Sequence, residues 1–182
     1  LATSSCWHGV TTVITGNCGF TLAPCRPEDR DYITRMLGQV EQMPLEGLRL
    51  GLTWEWESFP QYMDALDKRL GVNVAPLVGH STVRRHIMGP EATRREATED
   101  EIQRMKQVVR EAIAAGAMGF STSQGQNHFD GDGQPVPSRC STHDEIVELS
   151  STLGDLNVGE LEISLRTNSH GISLEERDLM VR

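Results

Sequence analysis

Several things that would settle the class of this chain are scarce or missing. Aromatic side chains make up only 5% of its 182 residues, and hydrophobic residues 37%, which supports one domain with a lean core. No apolar run approaches the roughly 20 residues of a membrane-spanning helix. No charged leader followed by an apolar core opens the chain, so no signal peptide is read. Positive charge is short, with 17 Lys and Arg against 26 Asp and Glu and a net charge of −9, which argues against nucleic acid or an anionic membrane as a partner. The cysteines (Cys6, Cys18, Cys25 and Cys140) lack C-x-x-C spacing and are too sparse to staple a small secreted domain. Free thiols in a reducing cytoplasm are the expectation. No hairpin signal such as Asn-Gly separates the apolar runs, and no glycine-rich phosphate-binding fingerprint is present.

The most informative stretch is Gly9 to Phe20, G-V-T-T-V-I-T-G-N-C-G-F. Val10 to Thr15 is a continuous run of β-branched residues, the pattern of a parallel strand covered on both faces. Gly16 ends the run. Asn17, Cys18 and Gly19 then lie where the chain must turn, with glycines on both sides to permit a tight turn and Asn17 able to adopt left-handed geometry. A lone cysteine at a strand end is usually a small buried hydrophobe. A thiol just past the carboxyl end of a parallel strand is also where α/β enzymes place their chemistry.

Further along, residues 28–43 carry a helical apolar stripe of Ile33, Met36, Leu37 and Val40, stopped at Pro44. Residues 45–56 read as irregular, with Trp54 and Trp56 covering a core edge or lining a pocket. Capping-box patterns open helices at Ser58–Gln61, Thr98–Glu101, Thr142–Glu145 and Ser173–Glu176. Strands are expected at Asn73–Val78, with an awkward Pro76 inside, at Gly119–Ser123 and at Gly159–Leu165. Residues 83–97 read as a basic, solvated loop with room for a short helix, and D-G-D-G at 130–133 as a turn, since it lacks the downstream Glu of a calcium loop.

Strands and helices therefore alternate, which predicts an α/β fold of parallel strands with helical crossovers, a partial (β/α)8 TIM-like barrel. The chain opens on Leu1 almost directly into a strand and closes at Arg182 inside a starting helix, so residues 1–182 read as part of one barrel domain cut at both ends. Exposed sheet edges would then be covered by the rest of the barrel or by a second copy.

In a parallel barrel the carboxyl ends of the strands share one rim. That rim would gather Asn17 and Cys18; His80, Ser81 and Thr82; Ser121, Thr122, Ser123 and Gln124; and Arg166, Thr167 and Asn168. Cys with His points to a borderline-soft metal, zinc above others. The same two residue types also serve a metal-free Cys–His nucleophile pair, and a non-catalytic barrel-derived scaffold or binding module stays open. His8, His86, His128, His143 and His170 fall in loops or caps and read as surface, with His128 worth following because its loop comes after the third strand.

Three blocks carry a resemblance: H-G-V-T-T-V-I-T-G-N-C-G-F-T-L-A-P (8–24), N-V-A-P-L-V-G-H-S-T-V-R (73–84) and E-A-I-A-A-G-A-M-G-F-S-T-S (111–123). In that order they resemble the N-acyl-D-amino-acid deacylases (D-aminoacylases) of the amidohydrolase superfamily. The resemblance implies a zinc-dependent hydrolase of linear amides on a (β/α)8 barrel, acting on a small N-acyl-D-amino acid. It implies Cys18 as a metal ligand and His80, Ser121 and Thr122 as residues that contact substrate. It also implies a His-x-His pair, later histidine ligands and a catalytic aspartate, none of which this stretch contains. Near the fourth strand the family often shows Thr-His-x-Arg, where this chain reads L-E-I-S-L-R-T at 161–167. The 182 residues by themselves are expected to be inactive.

Overall fold

The computed structural model describes residues 3–68 and 70–182. Four strands, β1 (Thr12–Thr15), β2 (Asn73–Gly79), β3 (Gly119–Ser123) and β4 (Glu160–Ser164), form one sheet in sequence order. Every pairing in it is parallel, with Thr12 opposite Asn73, Leu77 opposite Gly119 and Ser121 opposite Glu162. Parallel neighbours require crossovers. Here they are α2 (Arg30–Val40), α3 (Leu45–Gly51) and α4 (Phe59–Leu66) after β1, α5 (His80–Met88) and α6 (Glu99–Ala114) after β2, and α7 (His143–Leu156) after β3. The sheet curls into half of a barrel with its helices between the strands.

The expected parallel order and helical crossovers are therefore present, and several local details differ. A short helix, α1 (Thr3–Trp7), precedes β1, and an antiparallel two-residue pair, β5 (Thr167–Asn168) with β6 (Gly171–Ile172), leads into α8 (Leu174–Val181). β1 is shorter than the β-branched run, and Ile14 in it is 49% exposed, so burial on both faces is not seen there. Among the described residues β1 has only β2 beside it. Residues 45–51 are helical, not irregular. The short helix allowed within residues 83–97 is the second half of α5, and Arg84 within it is fully buried where solvated arginines are expected. Pro76 stays in the sheet because its carbonyl still accepts a bond from Met118 N–H at 2.8 Å.

Strand alternation divides the side chains between two faces. On the helix side, Phe120 and Val78 pack with Met105, Val109 and Ala112 of α6 and Leu149 of α7. Burying each large apolar side chain there contributes about 1.5–3 kcal/mol. Trp56 closes the edge of this core and donates its indole N–H to the Leu22 carbonyl at 2.8 Å. On the concave side, β3 presents Ser121 and Ser123, and β4 presents Glu162 beside Ser121. The turn after β1 is laid across that side.

Candidate metal centre at the strand ends

That turn places Cys18. Beyond Thr15 the backbone enters left-handed geometry at Gly16 (φ 84) and again at Gly19 (φ 79), around a single 3-10 turn of Asn17–Gly19. The non-glycine residue in left-handed geometry is Cys18 itself (φ 56, ψ 22), not Asn17 as the sequence suggests. A non-glycine residue held there costs about 1–3 kcal/mol and persists only where its surroundings over-determine it. They do so here. The Ser121 hydroxyl accepts from Gly19 N–H at 3.0 Å and donates to the Gly16 carbonyl. Glu162 Oε2 accepts from Cys18 N–H, and Glu162 Oε1 lies 3.9 Å from Cys18 Sγ. The turn also needs Gly79 at the end of β2, because a Cβ there would sit 2.6 Å from the Gly19 carbonyl oxygen.

Cys18 is half-buried and lines a cleft of about 630 Å³ together with Thr15, Leu37, Glu41 and Met43, a size suited to a small molecule. Burial raises its thiol above the usual range, and the charges of Glu162 and Glu41 raise it further. A cation within bonding reach reverses that balance, because a metal-bound thiol is deprotonated. The donor chemistry, one sulfur with a carboxylate oxygen, fits zinc. Among the described residues no group of three or more His, Cys, Asp or Glu is placed to hold a metal ion.

The three residues expected at the substrate are His80, Ser121 and Thr122. His80 is fully buried at the start of α5, with Nδ1 bonded to Thr122 Oγ1 at 2.8 Å and Nε2 to Glu145 Oε1 at 2.9 Å. Both ring nitrogens are thus engaged on the helix side, and neither is bonded to Cys18. Thr122 shares that side. Ser121 adjoins Cys18, but its hydroxyl is committed to the turn. Behind His80, Arg84 Nη1 donates to both Glu145 oxygens at 2.7 and 2.8 Å, and the other guanidinium nitrogens bond the carbonyls of Ala92, Arg95 and Cys140. Burial works to raise Glu145, but the His80 bond and the nearby charges of His80 and Arg84 hold it below the usual carboxylate range.

His128, in the loop after β3, does reach the concave side, with Nδ1 2.7 Å from Ser123 Oγ and its ring edge-on to Phe20. Burial lowers its pKa from the ordinary imidazole value. The other loop-and-cap histidines differ from surface groups in two cases: His86 lies on α5, partly buried, and His143 opens α7 and faces Glu176 at 3.3 Å. Glu162 was not singled out by sequence. The signal for it is the alternation Glu160, Glu162, Ser164, which puts these residues on one face of a strand.

Residues 3–163 match the profile of the Amidohydrolase family. The chain belongs to that family. This amidohydrolase chain is 38% identical over 147 residues to D-aminoacylase of Alcaligenes xylosoxydans xylosoxydans, covering 80% of the chain and 26% of that relative. A crystal structure of D-aminoacylase superposes with a TM-score of 0.58 at 34% identity, over 88% of this chain and 28% of that one. N-acyl-D-glutamate deacylase from Bordetella bronchiseptica, solved with zinc and a phosphonate mimic of the tetrahedral intermediate, gives 0.59 at 29% identity over 87% and 28%. The amidohydrolase chain thus spans about a quarter of the length of the curated relatives it matches.

Proposed function

We propose that the protein carrying this chain is a zinc-dependent amide hydrolase that cleaves N-acyl-D-amino acids to a carboxylic acid and a D-amino acid, with Cys18 as a metal ligand. The observation that carries this reading is the strained Cys18 turn, held at the shared mouth of four parallel strands in an amidohydrolase chain. Bound zinc would acidify a water and polarise the amide carbonyl. The chain's own residues hold and shape the site. The left-handed turn presents the sulfur, and the Ser121 hydroxyl fixes the turn against β3. His80 and Thr122 tie the end of β2 to β3 from the helix side, so we read all three as positioning residues. The cleft at Cys18 admits a small substrate. Catalytic zinc takes about three protein ligands, and the remainder would come from the part of the relatives' length that this chain does not cover. Residues 1–182 are then one section of a single barrel domain. The sparse cysteines, without C-x-x-C spacing, suit a reducing compartment such as the cytoplasm, and among the described residues no helix is long and apolar enough to cross a membrane.

The test is hydrolysis of paired N-acyl-D- and N-acyl-L-amino acids by the full-length protein. The expected result is cleavage of the D-series alone, lost on chelation and restored by zinc. Activity that survives chelation but is lost on thiol alkylation would overturn the metal reading in favour of a cysteine nucleophile.

A further inference from the structure

We infer that Glu162 is a second protein ligand to the metal at Cys18, an inference that rests on the zinc reading above. The two side chains arrive from opposite edges of the four-stranded sheet, Cys18 from the turn after β1 and Glu162 from β4. Glu162 lies opposite Ser121 in the β3–β4 register, so the face that turns Ser121 toward Cys18 turns Glu162 there too. Its two oxygens are used differently. Oε2 takes the Cys18 N–H, and Oε1 accepts a long bond from the Cys18 thiol, 3.9 Å from Sγ, whose proton a metal between the two would displace. Tetrahedral zinc with ordinary Zn–S and Zn–O bonds holds its sulfur and oxygen donors about 3.6 Å apart, close to the separation found here. Among the described residues no cationic side chain pairs with Glu162, whereas Glu145 and Asp29, which are also buried or partly buried carboxylates, each have arginine partners. The concave face of β4 offers Glu162 and Ser164 and no imidazole, so a protein ligand from this strand is an oxygen.

The alternative is that Glu162 only caps the Cys18 backbone. Glu162→Gln separates the two, since the amide oxygen can still accept from Cys18 N–H but binds metal poorly. Cobalt and zinc themselves serve as probes of the full-length protein. Cobalt is followed by its thiolate charge-transfer and ligand-field bands, and zinc by competition titration. The expected result for Glu162→Gln is a loss of zinc affinity beyond the roughly 10–100-fold typical of an outer-shell partner, with a shifted ligand-field band and an unchanged unfolding midpoint when both proteins are unfolded without metal. Should that variant not fold, Glu162→His carries the test, with binding retained and the ligand-field band moved as nitrogen replaces oxygen. Unchanged affinity and spectrum in Glu162→Gln, with the charge-transfer band still abolished by Cys18→Ser, would overturn Glu162 as a ligand and leave Cys18 standing. Absence of any thiolate charge-transfer band in the wild type would overturn the zinc reading and this inference together.

Discussion

One hydroxyl shows how closely the Cys18 turn is specified. Ser121 is fully buried, accepts from Gly19 N–H and donates to the Gly16 carbonyl, so it satisfies two backbone groups that the left-handed turn removes from regular pairing. Ser121→Ala leaves both unsatisfied, at about 1–3 kcal/mol for a buried group. Because the turn carries the sulfur, zinc affinity should also fall by about 10–100-fold. Urea unfolding and zinc competition on the full-length protein measure the two effects separately. A stable variant with unchanged zinc affinity would remove Ser121 from the positioning of Cys18. Cys18 itself is legible in the sequence, since G-N-C-G after a β-branched run marks a turn at a strand end. The partners Ser121 and Glu162 are not, because they lie 103 and 144 residues away and no local pattern links them to it.

At the scale of elements, the capping boxes separate what is local from what is not. Ser58 with Gln61 and Thr98 with Glu101 form reciprocal boxes, and the helices they open are where the sequence places them. At Thr142 only half of the box forms, because the Glu145 side chain turns away to His80 and Arg84. The same diversion explains α5. A stretch with Arg84, Arg85, Arg94 and Arg95 reads as solvated until Glu145, 61 residues on, supplies the charge that lets Arg84 be buried. Glu145→Ala should therefore destabilise the protein by about 3–5 kcal/mol, as expected when a buried arginine loses its partner. The pH dependence follows from the sign of the shift. Glu145 is held below its unfolded value, so its contribution is present above the ordinary carboxylate range and is lost as pH falls through the depressed folded value. Chemical denaturation from neutral to acid pH should show that slope in the wild type and a flatter one in Glu145→Gln. Equal slopes would show that the pair does not govern acid stability.

At the scale of the whole molecule, parallel order and helical crossovers were readable because β-branched runs, glycine stops and caps are local signals repeated along the chain. The small β5–β6 pair was not, since two residues on each side leave no period to detect. Nor was the division of polar groups between faces. His80, Thr122 and Ser121 all stand near strand ends, yet strand alternation and the start of α5 send the first two to the helix side and only the third to Cys18. What the four strands achieve together is convergence: a sulfur from one edge meets a carboxylate from the other across the concave side. Zinc-edge X-ray absorption on the full-length protein tests that claim most directly. The account predicts one sulfur neighbour at about 2.3 Å beside nitrogen or oxygen neighbours, with the sulfur lost in Cys18→Ala. A wild-type zinc shell made only of nitrogen and oxygen would contradict it.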